Sequence, residues 1–307
     1  MPIKKGRFGV LLISATIVLF GCNPSGSTQQ HTPAKQDVVK TIALPADTTG
    51  QIFKDLMGIA KEKGWHQEEL GQLMTQVGSW FSGKPYAAGT LDAPAYEQLV
   101  IKLDGFDCVT FVESVLALSR TIKDQSYDYE TFIAHMRAQR YRDGVLDGYC
   151  SRLHYFSEWI LDNETRGNVR NITHDVGGVK LDKQLNFMSS HRGSYAPLID
   201  DSLYAGIIAV EEKLKTFQMY YIPQSDISTV YNQLAAGDII ALATDIGGLD
   251  VAHTGLVYKH PEGGAGLLHA STARGVVVSP DLQAYVENNK RQIGIVIARP
   301  LEVPDID

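Results

Sequence analysis

Apolar residues recur at helical spacing twice in the first part of the chain. Ile52, Phe53, Leu56, Ile59 and Ala60 do so within residues 48–63, and Leu70, Leu73, Met74, Val77, Trp80 and Phe81 within residues 67–81. Each set marks one face of a 3.6-residue period and predicts an amphipathic helix. Gly83-Lys84-Pro85-Tyr86 interrupts the pattern as a turn, and residues 99–103 read as a short extended stretch. From Cys108 to Leu118 nearly every position is apolar, which predicts a helix buried all round. Residues 124–225 carry aromatic and Arg-rich helical patches, of which residues 149–159 are the densest. The pattern then changes to short β-like runs at 238–243, 254–258, 266–270, 275–278 and 293–298, separated by Gly-rich turns. Helices first and an antiparallel meander afterwards predict an α+β fold. No internal repeat is visible.

The first residues obey a different logic. Lys4, Lys5 and Arg7 precede an apolar run over residues 10–20, the layout of a secretory signal and too short a run to span a bilayer comfortably. The run ends in Leu19-Phe20-Gly21-Cys22, which resembles the lipobox of bacterial lipoproteins. That resemblance implies a signal peptide over residues 1–21 and lipid attachment at Cys22, hence a protein of the cell envelope held to a membrane through its lipid. Asn23 lacks the Asp that often retains lipoproteins in the inner membrane, so the outer membrane is favoured. Residues 22–40 are rich in Ser, Thr, Gln, Pro and Gly and read as a flexible tether. Residues 41–307 remain as the catalytic domain, with an insertion at about 124–230.

Composition narrows the classes further. At 44% hydrophobic residues the chain can bury a sizeable core, which excludes disordered and fibrous proteins. Removing residues 1–21 takes three cations and no anion, so the net charge moves from −7 to −10. No basic stripe remains, which argues against nucleic acid as a partner. A monomer is expected.

Candidate chemistry centres on cysteine and histidine. Of three cysteines, lipidation of Cys22 leaves Cys108 and Cys150. A disulfide between these two is one reading for an exported chain; the other keeps Cys108 as a free thiol. Asp107-Cys108 opens the buried helix, where unpaired N–H groups and the helix dipole favour a thiolate and can receive an oxyanion. His253, in His-Thr-Gly-Leu-Val-Tyr, and His269, in Leu-Leu-His-Ala-Ser, lie on successive apparent strands joined by Pro261-Glu262-Gly263-Gly264. Adjacent antiparallel strands can bring two such side chains together as a base and its orienting group. Cys150 and His154, four residues apart, suggest zinc, yet there is no His-Glu-x-x-His and no acidic ligand at a matching distance. The sequence therefore gives no expectation of a metal or other cofactor.

In order along the chain, these pieces resemble the NlpC-type cell-wall cysteine peptidases. They are Asp107-Cys108, Gly237-Asp238-Ile239-Ile240, His253-Thr254-Gly255-Leu256-Val257-Tyr258, Leu268-His269-Ala270-Ser271-Thr272 and Gly275-Val276-Val277-Val278-Ser279. The resemblance implies a papain-like fold in which N-terminal helices and a nucleophile helix pack on a C-terminal antiparallel sheet, with a helical insertion. It makes Cys108 the nucleophile, His253 the base and His269 the orienting residue, with Tyr86 lining the site. Members of that family commonly follow Asp-Cys with Ser-Gly, the Asp and Ser holding a free peptide amine. Here Asp107 is present and Val109 stands in place of the Ser.

Phe106-Asp107-Cys108-Val109-Thr110-Phe111-Val112-Glu113, Tyr141-Arg142-Asp143-Gly144 and Ser151-Arg152-Leu153-His154-Tyr155 resemble a smaller branch, the N-acetylmuramoyl-L-alanine amidase-like proteins. That branch implies hydrolysis of the amide between the muramic acid lactyl group and L-Ala of peptidoglycan or muropeptides, through a Cys thioester. Tyr149, Arg152, His154, Tyr155 and Trp159 would supply aromatic and polar contacts at helical spacing, with Arg152, His154 and Tyr155 as substrate-binding residues. An endopeptidase cutting between D-Glu and a diamino acid, and a glycan-binding lipoprotein without turnover, are the alternatives.

Overall fold

The computed structural model describes residues 44–94 and 96–302. The expected signal peptide, the lipid attachment at Cys22 and the whole tether lie outside these residues. Two helices open the domain. In α1 (Thr48–Glu62) the Asp47 side chain caps the first turn by accepting from Gly50 N at 3.1 Å. In α2 (Leu70–Trp80) Leu70, Leu73, Met74 and Val77 point inward as their period requires. The helix α3 (Cys108–Lys123) is the centre of the molecule, packed against α2, α4 (Tyr129–Arg140) and the sheet. Phe111, Val112, Val115, Leu116, Leu118 and Ile122 on α3 are all fully buried.

A charged pair shares that burial. The Glu113 carboxylate accepts from Arg140 Nε at 2.7 Å, and the same guanidinium donates through Nη1 to the Val100 carbonyl at 2.5 Å. This ion pair ties α4 to α3 and holds down residues 98–100. The stretch over 99–103 joins no ladder; its place is set by that bond and by Tyr141 Oη, which donates to Glu97 Oε1 at 2.9 Å.

The chain continues through α5 (Phe156–Thr165), β1 (Val169–Asn171), β2 (Val179–Leu181), α6 (Phe187–Ser190), α7 (Asp201–Leu214) and β3 (Met219–Pro223). The region expected as a helical insertion thus also contributes three short strands. The sheet is completed by β4 (Ile239–Thr244), β5 (Val251–Lys259), β6 (Ala265–Ser271), β7 (Gly275–Ser279) and, after α8 (Leu282–Glu287), β8 (Gln292–Pro300). Its order is β2-β3-β8-β4-β5-β6-β7, with β1 on β8 and every pairing antiparallel.

The expected meander holds from β4 to β7, but β8 returns to lie between β3 and β4, Ile297 opposite Ile240. Both faces of the centre are covered. Ile239 and Ala241 join the core around α3, whereas Ile240 and Leu242 join a second core with Ile222, Ile227, Leu282 and Val286. Burial on both faces is why β4 reads as an unbroken apolar run instead of an alternating one.

Candidate active site

The site forms where the head of α3 meets β5 and β6. Asp107 caps α3: its Oδ1 accepts from Thr110 N at 2.7 Å and from Thr110 Oγ1 at 2.8 Å, while Thr110 Oγ1 accepts from Asp107 N at 3.0 Å. This closed capping box sets Cys108 as the first helical residue, partly exposed and with a free thiol; Cys150 is free as well, so the disulfide reading does not hold. The loop before it is docked by two hydrogen bonds, Ala87 N to Phe106 O at 2.9 Å and Phe106 N to Pro85 O at 3.1 Å, which bring Tyr86 alongside. That loop rests on the start of β7, where Val276 N donates to Lys84 O at 2.9 Å. Gly275 permits this approach: its φ is +67°, and a Cβ there would fall 2.1 Å from the Lys84 carbonyl oxygen.

The two histidines meet directly. His253 Nε2 and His269 Nδ1 are 2.7 Å apart, and His269 Nε2 is 3.0 Å from Ser279 Oγ on β7. The pair is diagonal and not directly cross-strand. The β5–β6 ladder sets Leu256 opposite Leu268, and carrying that register one step on faces His269 with Gly255, two residues from His253. Gly255 leaves room for it, since a Cβ there would lie 2.9 Å from His269 Cβ. Thr254, next to His253, donates through Oγ1 to the Cys108 carbonyl at 2.8 Å and so seats the head of α3 beside the imidazoles. In the tautomer that a base requires, Nε2–H of His253 donates to His269 and Nε2–H of His269 donates to Ser279, which satisfies both bonds. Nδ1 of His253 is left free to act as a base.

The electrostatics differ from the expected thiolate. Burial, and after it the Asp107 carboxylate, push the Cys108 thiol up to about 11, against opposing hydrogen bonds from Thr254 and from the Cys108 N–H. The helix N-terminus is outweighed because desolvation penalises the charged sulfur more than partial backbone charges favour it. Burial holds His253 down to about 4. His269, fully buried, is held at about 3 by burial first, then by His253 and Arg274. Thiol and imidazoles are therefore all neutral at rest.

Stability follows from these shifts. The unfolded chain takes up protons at the ordinary histidine value of 6.5, while the folded pair resists them until about 4 or below. The unfolded state then binds more protons within that window, so the protein should lose stability as the pH falls from 6.5 to 4. Urea midpoints measured across this range should fall with pH, and less steeply in a variant carrying both His253→Gln and His269→Gln.

The expected substrate-binding residues separate. Tyr86 stands at the site, its hydroxyl pushed up to about 12 by burial first and then by the Cys108, Asp107 and Tyr285 charges. Asp107 is engaged first as the helix cap. The helical spacing expected over residues 149–159 does not form: Tyr149–Ser151 is a single 3-10 turn, Arg152 is extended and bridges to Tyr141, and α5 begins only at Phe156. Cys150 and His154 accordingly share no helix. Tyr155 is a correction, being only 2% exposed, with Oη donating to Glu211 Oε1 at 2.7 Å and accepting from Met188 N at 3.0 Å. Both its valences are used inside the protein. His154 packs its ring 4.4 Å from that of Tyr149 and puts Nε2 2.9 Å from the Tyr149 carbonyl, so it too serves the framework.

Arg152 is the exception in this segment. It pairs with Asp92 at 2.7 Å, lies 5.1 Å over the Tyr149 ring, and lines a pocket of about 290 Å³ with Asp92, Tyr96 and Glu97. Tyr285, Thr254 and Ser279 complete the candidate site although none was singled out as a site residue. Ser279 closes the motif Gly275-Val276-Val277-Val278-Ser279 and was within reach; Tyr285 lies on a six-residue helix with no pattern to mark it.

This α+β fold, with its histidine pair at the head of a buried helix, is that of the cell-wall amidases. More narrowly, the chain belongs to the N-acetylmuramoyl-L-alanine amidase-like (AmiA-like) family, whose model matches residues 76–295. It is similar to an N-acetylmuramoyl-L-alanine amidase from Bacteroides uniformis ATCC 8492, at 33% identity and a TM-score of 0.72, over 76% of this chain and 100% of that one. A Bacteroides fragilis protein proposed to be a xylanase matches at 34% identity and a TM-score of 0.69, over 73% of this chain and 99% of that one. Protein LPG0564 from Legionella pneumophila, at 21% identity and a TM-score of 0.64 over 82% of this chain and 94% of that one, shares the fold. No curated protein matches the chain. The family makes this protein a hydrolase of the amidase kind with a peptidoglycan-derived substrate.

Proposed function

We propose that the protein hydrolyses the amide between the lactyl group of N-acetylmuramic acid and L-Ala through a thioester on Cys108. The observation that carries this reading is the relay His253–His269–Ser279 beside a free thiol at the head of α3. His253 Nδ1 takes the Cys108 proton as Sγ attacks the lactyl carbonyl carbon. Because thiol and imidazole rest neutral, proton transfer accompanies attack instead of preceding it. The oxyanion is met by the Cys108 and Val109 N–H groups at the head of α3, that of Thr110 being held by Asp107. Collapse expels the L-Ala amine, protonated by His253. Water, deprotonated by His253, then cleaves the thioester to the muramic acid carboxylate and the free thiol.

Val109, beside the nucleophile, offers no hydrogen bond to a free peptide amine, which favours a sugar on the acyl side. The Arg152 pocket is the proposed contact for a distal part of the substrate. A glycosidase would need two carboxylates flanking the scissile bond, whereas this site is built on a thiol and two imidazoles. Lipid attachment at Cys22 and an outer-membrane location belong to the same proposal and rest on the sequence alone.

Digestion of defined muropeptides with mass detection tests it. Free muramic acid together with an intact stem peptide is the expected product pair. Cleavage between D-Glu and the diamino acid would replace this reading by that of an endopeptidase, and binding without any product by that of a glycan-binding protein.

A further inference from the structure

Tyr285 has no part in the chemistry above, yet it stands against both imidazoles. Its ring centroid is 4.7 Å from that of His269 in an edge-to-face contact and 6.0 Å from that of His253, while the two imidazoles are themselves 4.9 Å apart at 89°. The helix that carries it is pinned from several directions. Asp281 caps α8 by accepting from Ala284 N at 2.7 Å, Leu282 and Val286 sink into the second core, and Gln283 N donates to Tyr231 Oη at 2.8 Å. The Gln283 side chain in turn accepts from Ser228 N at 2.7 Å. A side chain on so short a helix would ordinarily be mobile; these anchors aim this one at the histidines.

The charged and titratable groups around the pair are few. Arg274, from the turn between β6 and β7, acts on His269, and Tyr285 from α8 packs on both rings; Cys108 and Arg274 act in turn on Tyr285, and Cys108 and Asp107 on Tyr86. Among the described residues no carboxylate bonds to either imidazole: His253 bonds to His269, and His269 to the neutral Ser279. A neutral hydrogen bond fixes the ring less firmly than a charged one would, which leaves part of the holding to packing.

We propose that Tyr285 is a positioning residue whose ring clamps His253 and His269 in one orientation and keeps water off the hydrogen bond they share. It is the ring that matters, since the centroid contacts are made by the aromatic face and edge. The inference rests on the catalytic reading of the histidine pair for its meaning, but its test does not.

In the full folded chain, histidine ring resonances are titrated by NMR in the parent, Tyr285→Phe and Tyr285→Ala. Tyr285→Ala admits water and should raise the midpoints of His253 and His269 towards the ordinary value by about one to two pH units. Tyr285→Phe keeps the ring and should titrate as the parent does. Should Tyr285→Ala unfold, Tyr285→Gln opens the same space to water while filling part of it with a polar side chain, and is held to the same outcome. Unchanged midpoints in a folded Ala or Gln variant overturn the proposal, as does a shift in Tyr285→Phe equal to that in Tyr285→Ala. Where amide hydrolysis is measurable, the acid limb of kcat/KM should move by the same amount in the same variants. A muropeptide assay that yields no product would undo the catalytic reading and leave the titration result intact.

Discussion

Cys108→Ala should leave a folded protein that has lost hydrolysis by at least about a thousandfold. The residue occupies the first position of α3, where alanine is well tolerated and the Asp107–Thr110 capping box does not depend on the side chain. Stability measured by urea should therefore stay close to the parent while activity disappears. His253→Ala should follow it, because no other group in the chain of bonds can take the thiol proton. His269→Asn should lose less, about tenfold to a hundredfold, since an amide can still accept from His253 and keep its tautomer. A Cys108→Ala protein that still released muramic acid at the parental rate would remove the thiol from the mechanism. An equal and total loss at His269 would make that residue more than an orienting group.

The second large effect is structural. Arg140→Ala should destabilise the protein by about 3–5 kcal/mol, because it abandons the Glu113 carboxylate inside the core. Glu113 and Arg140 are each 2% exposed, so water cannot replace the lost partner. Burial already pushes the Glu113 carboxyl above its ordinary value with Arg140 in place. The same change frees the Val100 carbonyl, and with it the segment leading to the nucleophile. The double variant Glu113→Leu with Arg140→Met should recover most of the loss, since no charge then remains to be buried. Urea denaturation of the three proteins gives the comparison; a single Arg140→Ala within about 1 kcal/mol of the parent would show that the pair carries no such cost.

The helices and strands that hold the site were legible in the chain because burial imposes a period. The run from Cys108 is apolar all round and forms the central helix; the two N-terminal helices and all five strands from β4 to β8 stand where the pattern put them. Residues 149–159 misled because the same side chains suit a helix and a bent segment equally well. The extended backbone at Arg152 is enforced by its bridge to Tyr141, eleven residues earlier and outside the segment's own pattern. The histidine pair could be named from its two strands, but its diagonal register could not, since it depends on the space left by Gly255. The protonation states were likewise hidden: a helix N-terminus is visible in sequence, whereas desolvation of the thiol exists only once the domain has closed around it. Tyr285 was missed because a six-residue helix is too short to show a period.

The position of β8 bears on how the molecule comes into being. This strand, the last of the sheet in sequence, is central in space and separates β3 from β4. Until residues 292–300 are available, β3 and β4 are both bare edges, and neither apolar face of β4 has the neighbour that completes its layer. The histidine pair can be outlined by the hairpin of β5 and β6 early, but the sheet behind it cannot close before the chain has passed Pro300. Folding is thereby governed by contacts distant in sequence, and a chain stopped before β8 should expose two unpaired strand edges, leave β1 without its partner, and aggregate.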